Sequence, residues 1–220
     1  MTIRRDLNEL VNAKLVERTY GQVKVKYGDS VESIFAQREV ENLCTKQQIA
    51  QTAFDCLCDV ESIFIDGSST CNELAKMLPD IKRLTVFTNS VASLHILSQM
   101  NWVSTFVIGG FLASDANTLD GDVSINVAKN IFVDAAFISC SGFSVDGFVN
   151  DGLSGTHLKK IMLKNSERRY LLVDHSKFNK RGTFLLGGWD KIDMIITDKA
   201  LPKRDADAIE RQGVKIAHSG

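Results

Sequence analysis

The sequence has little that would direct it to a membrane, cross-link it or bind a metal. No apolar run in its 220 residues is long enough to cross a bilayer, and no signal peptide precedes Thr2. The five cysteines are odd in number and scattered, and Cys56 and Cys58 do not have the spacing of a zinc site. These absences predict a cytoplasmic protein with reduced cysteines, no bound metal and no cofactor.

Charge is nearly balanced over the whole chain but unevenly distributed along it. The net charge is −1, whereas residues 1–28 contain six basic and three acidic side chains, a local charge of +3. Residues 29–220 therefore carry −4. A basic first segment on an acidic remainder indicates an anionic partner for the N-terminal segment alone.

The N-terminal segment has the pattern of a short amphipathic helix followed by a hairpin. The helix predicted over residues 2–13 has an apolar face formed by Ile3, Leu7, Leu10 and Val11. Its remaining surface is polar or basic and carries Thr2, Arg4, Arg5, Asn8 and Asn12. Two short strands, 16–19 and 22–25, follow around a turn. A winged helix-turn-helix ends in this way, although a solvated helix with an incidental hairpin has the same pattern.

The rest of the chain, residues 37–220, is predicted to form one domain after a linker at residues 29–36. A long helix is expected over about residues 37–58. Strands and helices then alternate, with strands predicted at 63–66, 84–87, 106–108, 132–139, 170–173, 194–197 and 214–217. This alternation indicates an α/β fold with a mostly parallel sheet flanked by helices.

The first three strands of this sheet end in small polar residues or in glycine. The endings are Asp66-Gly67-Ser68-Ser69-Thr70, Thr88-Asn89-Ser90 and Gly109-Gly110. Because the carboxyl ends of parallel strands meet at one edge, we expect a single binding site there. The first ending opens a helix, whose N-terminal amides attract phosphate, and the lack of a following lysine excludes a Walker-type loop. The alternative is an ordinary helix cap without a ligand.

Other charged residues have less specific patterns. The helix predicted over residues 155–165 carries Lys159, Lys160 and Lys164, most simply on a solvated outer face, and Gly147 and Gly152 indicate a loop before it. Asp66 and Asp134 belong to strand regions and are either ligand contacts or structural caps.

Taken in order, these motifs resemble those of the DeoR family of bacterial transcription regulators. Residues 2–10 resemble its recognition helix and residues 15–21 the beginning of its wing. The three strand endings, the run Asp174-His175-Ser176-Lys177-Phe178 and the pair Thr197-Asp198 resemble its C-terminal sensor domain. The resemblance covers essentially the whole chain. It implies a sensor fold similar to ribose-5-phosphate isomerase, a phosphorylated sugar or polyol as effector, operator DNA as partner and a homo-oligomer.

The resemblance also implies roles for individual residues. The phosphate would be held by the motif Asp66, Gly67, Ser68, Ser69 and Thr70, with Lys177 adding a cation. Sugar hydroxyls would bind Thr88, Asn89 and Ser90, and the backbone would approach the ligand at Gly109 and Gly110. Operator DNA would contact Thr2, Arg4, Arg5 and Asn8.

The sequence departs from the family pattern at two places. The chain begins at Met1 inside the helix-turn-helix, through a late start or a truncated gene, which predicts weak operator binding because a marginal helix lacks its packing partners. Ser141 stands where many members carry an aspartate and where the isomerases keep a catalytic carboxylate. Serine cannot abstract the proton in aldose–ketose isomerisation, and nothing in the spacing brings in Asp151 or His157. A repressor of a carbohydrate-catabolic operon is therefore favoured over the alternative, an isomerase-like enzyme.

Overall fold

In a computed structural model of the chain, the described residues are 32–78, 84–113 and 117–219, together with residues 7 and 11 and the segments 16–19 and 22–25. None of the helices among them is long and apolar enough to cross a membrane.

The predicted N-terminal hairpin is confirmed. Strands β1 (Val16–Thr19) and β2 (Gln22–Val25) pair antiparallel. Leu7 and Val11, both on the predicted apolar helix face, are helical and half-buried. The residues predicted to contact DNA lie outside the described residues: Thr2, Arg4, Arg5 and Asn8.

Two helices follow, where one long helix was predicted. Helix α1 covers Glu32–Val40 and helix α2 covers Leu43–Phe54. The prediction of one continuous helix is wrong because the chain breaks at Asn42, whose φ of 53° is left-handed. Asparagine adopts that conformation more readily than most residues. The predicted linker at 29–36 therefore contains the beginning of α1, while residues 29–31 lie outside the described residues. The domain boundaries stay a prediction.

The predicted α/β class, with a mostly parallel sheet, is confirmed. The further strands are, in chain order, β3 (Ser62–Ile65), β4 (Leu84–Thr88), β5 (Val103–Val107), β6 (Phe111–Leu112), β7 (Leu119–Asp120), β8 (Val133–Ile138), β9 (Gly142–Ser144), β10 (Gly147–Asn150), β11 (Ser166–Leu172), β12 (Phe184–Gly187), β13 (Met194–Thr197) and β14 (Lys215–His218). A seven-stranded sheet has the order β14-β13-β11-β8-β3-β4-β5, and all its pairs are parallel. In chain order, β3, β4 and β5 extend the sheet in one direction, and β8, β11, β13 and β14 then extend it in the other direction.

Helices cover both faces of the sheet. Helices α3 (Ser69–Lys76) and α4 (Val91–Leu97) share one core cluster with α2, while α5 (Asp122–Ala128), α6 (Leu153–Lys164) and α7 (Lys203–Glu210) share the other. Alternate residues of a strand point to opposite faces. In β3, Phe64 belongs to the second cluster, and Ile63 and Ile65 to the first. Burial on both faces explains why the central strand β3 contains the continuous apolar run Ile63-Phe64-Ile65.

A small antiparallel sheet stands where a plain loop was predicted around Gly147. Strands β9 and β12 both pair with β10. Gly147 has a φ of 134°, and a Cβ there would lie 2.4 Å from the carbonyl oxygen of Gly187. This glycine therefore serves a close approach of two strands. Phe148 packs on Trp189 with ring centroids 5.5 Å apart and anchors the small sheet to the core.

Candidate functional site

A cavity of about 430 Å³ lies at the carboxyl ends of the strands, at the point where the strand order reverses between β3 and β8. Residues 67–70, which follow β3, and residues 139–141, which follow β8, form part of its wall. In parallel sheets such a reversal leaves a crevice outside the strand ends, where ligands bind. The volume is that of a small-molecule site.

The cavity brings together six of the eleven residues predicted to bind the effector. They are Gly67, Ser68, Ser69, Thr70, Asn89 and Lys177. The other five do not line the cavity: Asp66, Thr88, Ser90, Gly109 and Gly110. Their contacts, described below, give each a different place in the fold.

The 67–70 turn (Gly67, Ser68, Ser69 and Thr70) joins β3 to α3. Ser68 is the N-cap of α3, because its Oγ accepts a hydrogen bond from the Cys71 amide at 3.2 Å. A Cβ on Gly67 would lie 2.2 Å from Thr118 Cγ2, so a larger residue would displace Thr118. Residues in the first turn of a helix have amides without an acceptor inside the helix. Ser69 and Thr70 hold such positions on the cavity wall.

Asp66 is the centre of a buried ion pair that fixes this turn. Its Oδ1 accepts from the Ser68 amide at 3.0 Å and from the Ser68 hydroxyl at 2.5 Å. Its Oδ2 lies 2.8 Å from Lys159 Nζ and accepts from the Ser139 amide at 3.1 Å. Burial opposes the charge on Asp66, but Lys159 and these hydrogen bonds outweigh burial and lower the pKa of the carboxyl group. The pairing likewise outweighs burial at Lys159 and raises the pKa of its ammonium group.

This geometry corrects two interpretations of the sequence. Lys159 is not on the solvated face of α6, where Lys160 and Lys164 are indeed exposed, but on the cavity wall. Asp66 is only 1% exposed, so it supports the turn from behind the wall. A signal for Lys159 was present in the sequence. Lys159 precedes the buried Met162 and Leu163 by three and four residues, which places the three side chains on one helix face.

At the end of β4, Asn89 lies in the cavity wall, whereas its neighbours Thr88 and Ser90 are buried behind it. The Thr88 hydroxyl accepts from the Ser90 amide at 3.1 Å, and Ser90 Oγ caps α4 by accepting from the Ser93 amide at 3.0 Å. Both Thr88 and Ser90 are fully buried and outside the cavity lining, where they support the wall, and their binding of sugar hydroxyls stays a prediction. Asn89 Nδ2 donates to the Leu119 carbonyl oxygen at 3.1 Å. Asn89 Oδ1 is buried and, among the described residues, has no hydrogen-bond partner.

The two glycines after β5 serve a contact within the chain. Ser124 Oγ donates to the Gly109 carbonyl oxygen. Gly110 has a φ of 153°, and a Cβ there would lie 2.4 Å from the Asp120 carbonyl oxygen. The close approach that the structure shows at Gly110 is therefore to β7 and α5, and a ligand contact at the two glycines stays a prediction. Asp120 itself does line the cavity.

Lys177 is carried into the cavity by a 3-10 turn, His175–Lys177, that follows β11. Asp174 Oδ1 accepts from the Ser176 amide at 2.9 Å. Asp198, after β13, accepts from the His175 amide at 2.6 Å and lies 2.5 Å from His175 Nδ1. Although burial opposes it, these hydrogen bonds lower the pKa of the Asp198 carboxyl group. The turn is thus fixed from both sides.

Asp134 lies at the opposite end of the sheet and is a structural cap. Its Oδ2 accepts from the Glu61 amide at 2.7 Å, from the Ser62 amide at 2.9 Å and from the Ser62 hydroxyl at 3.1 Å.

Of the residues considered for isomerase chemistry, Ser141 and Asp151 line the cavity, whereas His157 is exposed and outside its lining.

Two cations of the cavity wall, Arg38 and Lys46, had no distinctive signal in the sequence. Lys46 is 5% exposed and donates to the carbonyl oxygens of Arg38 and, at 2.5 Å, Glu41. Burial lowers the pKa of Lys46. Their place on the wall depends on the break at Asn42, which periodicity does not show.

Cys140 also lines the cavity, and burial raises its pKa to about 12, which keeps the thiol protonated.

A parallel sheet with a polar cavity at the reversal of its strand order is typical of α/β domains that bind small molecules. Residues 41–199 match the DeoR C terminal sensor domain, and residues 1–27 match the DeoR-like helix-turn-helix domain. The chain belongs to the DeoR family of transcriptional regulators, as its motifs predicted. It is accordingly a regulator and not an enzyme.

Similar proteins include two named regulators. The L-fucose operon activator of Haemophilus influenzae is 36% identical over 202 residues, which cover 91% of this chain and 81% of that protein. The HTH-type transcriptional regulator GolR of Listeria innocua is 30% identical over 212 residues, with coverages of 94% and 84%. Among solved structures, ribose 5 phosphate isomerase A from Neisseria gonorrhoeae has a TM-score of 0.45 and 16% identity, over 62% of this chain and 53% of that enzyme.

Proposed function

We propose that the chain represses a carbohydrate-catabolic operon and that a phosphorylated sugar or polyol, bound in the cavity, controls it. One observation carries this proposal. The 67–70 turn, Lys177 and Asn89 all line the same cavity, and the buried Oδ1 of Asn89 has no hydrogen-bond partner among the described residues.

The 67–70 turn and Lys177 suit the phosphate group. The N-terminus of α3 offers the amides and hydroxyls of Ser69 and Thr70 together with the positive end of the helix dipole. Lys177 adds a full positive charge. The Asp66–Lys159 ion pair holds the turn in place at 2.8 Å, so the donors are organised before the ligand arrives.

Asn89 suits the hydroxyl-bearing part of the ligand. A buried carbonyl oxygen without a donor is costly, and a ligand hydroxyl would satisfy it. Asp120 and Asp151, also on the wall, are further acceptors for hydroxyl groups. A small anion with several hydroxyl groups therefore fits the cavity better than an apolar ligand.

A specific observation favours the opposite sign of regulation as the second candidate. The Haemophilus influenzae relative, 36% identical, is named an operon activator. Under either sign, we propose that operator DNA is contacted by Thr2, Arg4, Arg5 and Asn8, that the chain acts in the cytoplasm and that it self-associates.

A thermal-shift screen tests the proposed effector class. Phosphorylated sugars and polyols are compared with the same compounds lacking phosphate. A true effector at 100 times its dissociation constant should stabilise the chain by about 2.7 kcal/mol, a shift of a few degrees. We expect stabilisation by phosphorylated compounds only.

Two lysine variants give this screen its control. Lys177→Met removes a cation from the cavity wall, and Lys164→Met removes an exposed lysine from α6. We expect the shift to fall in the first variant and to persist in the second. Equal shifts with and without phosphate, or no shift with any compound, would contradict the proposal.

A further inference from the structure

Helix α1 forms part of the effector cavity, although it lies between the two matched domains. The first match ends at residue 27 and the second begins at residue 41, so neither covers α1. Phe35 and Arg38 of α1 nevertheless line the cavity together with the 67–70 turn. The segment that connects the sensor domain to the DNA-binding segment is therefore in a position to contact the effector.

A hydrogen bond holds α1 beside the N-terminal turn of α3. Glu39 Oε1 accepts from Asn72 Nδ2 at 2.9 Å. Asn72 is 1% exposed and is fixed on its other side, where its Oδ1 accepts from Ser93 Oγ at 3.0 Å. Since α3 begins at Ser69, Asn72 belongs to its first turn. Arg38, the neighbour of Glu39, is thus placed close to the end of α3 that attracts anions.

Arg38 has the charge and the freedom to bind a phosphate group. Lys159 is engaged with Asp66, and Lys46 with two backbone carbonyl oxygens. Within the described ranges, by contrast, no carboxylate forms an ion pair with the exposed Arg38 side chain. The planar guanidinium group can donate two parallel hydrogen bonds to one phosphate, which gives direction as well as charge.

Over residues 35–40, the part of α1 whose side chains the structure describes, the packing is slight, so a ligand can change it. Phe35 is buried, but Gln37, Arg38 and Val40 are exposed. A helix of nine residues is marginal without packing. One aromatic side chain, the Glu39–Asn72 hydrogen bond and the Lys46 contacts are the interactions described above that hold it.

We propose that Arg38 binds the anionic group of the effector and that the effector thereby holds α1 against the 67–70 turn. This proposal rests on the proposed function. A ligand shifts a conformational equilibrium only through a difference in affinity between two states. Arg38 supplies that difference, because it reaches the bound anion only while α1 is docked. Because α1 follows the DNA-binding segment in the sequence, holding α1 is the way in which we propose that the effector acts on that segment.

Amide hydrogen exchange of the full chain tests this coupling, with inorganic phosphate as the probe and potassium chloride at equal ionic strength as the reference. Wild type is compared with Arg38→Met and with Arg204→Met, which removes an exposed arginine on α7. In wild type and Arg204→Met, phosphate should slow exchange in residues 32–40 and 67–72. In Arg38→Met at saturating phosphate, only residues 67–72 should be slowed, and the dissociation constant for phosphate should rise about tenfold.

The outcomes separate the two proposals. Protection of residues 67–72 without protection of residues 32–40 in wild type would overturn the role of α1 and leave the effector site standing. Protection of residues 32–40 in Arg38→Met equal to that in wild type would overturn the role of Arg38. No protection of residues 67–72 in any variant would overturn both proposals.

Discussion

At the scale of single residues, the Asp66 carboxylate connects three parts of the cavity wall. One of its oxygens holds Ser68 in the turn after β3, and the other holds the Ser139 amide after β8 and the Lys159 ammonium group on α6. Asp66 is 1% exposed, so its charge depends on these partners. Loss of one partner should therefore disturb the turn as well as the ion pair.

Lys159→Met should destabilise the chain by about 3–5 kcal/mol near neutral pH, because it leaves a buried carboxylate unpaired. Without its partner, burial should raise the pKa of Asp66. A raised pKa in the folded state makes folding more favourable as pH falls, so the deficit relative to wild type should shrink between about pH 7 and about pH 5. Denaturant unfolding at several pH values measures this deficit.

The neighbouring lysine provides the control for that experiment. Lys160→Met changes an exposed side chain of the same helix and should alter the free energy of unfolding by less than about 0.5 kcal/mol. Adding Asp66→Asn to Lys159→Met should restore part of the loss, since no buried charge then remains unpaired. Equal effects of the two lysine variants at every pH would show that the ion pair is not a stabilising contact.

Residue types at strand ends could be predicted from the sequence, but which of them face the cavity could not. Thr88, Asn89 and Ser90 are equally polar, yet only Asn89 of these three lines the cavity. Contacts between distant segments help to set their direction: Asn89 Nδ2 donates to the Leu119 carbonyl oxygen, and the Ser90 hydroxyl donates to Asn117 Oδ1. The 67–70 turn was predictable because its cap is local, with Ser68 three residues before Cys71.

At the scale of elements, the break between α1 and α2 decides which face of α1 meets the cavity. Asn42 has a φ of 53°, and the Lys46 amide donates to its carbonyl oxygen at 3.0 Å as α2 begins. Helical periodicity over residues 37–58 is satisfied equally well by one helix or two. The sequence contains no glycine or proline at this point, and Asn42, which can end a helix, is the local signal of the break.

Asn42→Ala should destabilise the chain by about 1 kcal/mol, because a Cβ-bearing residue without a polar side chain is strained in the left-handed region. Asn42→Gly should not be destabilised in this way, because glycine adopts that conformation without a steric penalty. Denaturant midpoints of the ligand-free variants measure the difference. If alanine is tolerated as well as glycine, the left-handed break at residue 42 is contradicted.

At the scale of the whole molecule, the site follows from the order of the strands. The chain builds β3, β4 and β5 to one side and then β8, β11, β13 and β14 to the other, which opens a crevice between β3 and β8. The alternating pattern of strands and helices predicted the sheet and its parallel pairing. It could not predict that β12 joins the small sheet of β9 and β10, because that pairing is long-range, whereas β9 and β10 form a local hairpin.

The regulatory coupling also belongs to the whole molecule. Moving a two-state equilibrium from 1:99 to 99:1 requires a ligand to prefer one state by about 10⁴-fold. Helices α1 and α3 and the turn that carries Lys177 all line the cavity. One small ligand can therefore contact several segments at once, and these contacts together can give it a higher affinity for one state.

Residue-resolved NMR of the ¹⁵N-labelled chain tests the central claim most directly. A phosphorylated sugar from the thermal screen is titrated in, with its unphosphorylated counterpart as control. We expect that the phosphorylated compound alone shifts the amide signals of Ser69 and Thr70, while Glu61 and Ser62, held by Asp134 at the far end of the sheet, stay unchanged. Binding that leaves the Ser69 and Thr70 signals unmoved would show that the 67–70 turn does not hold the phosphate group.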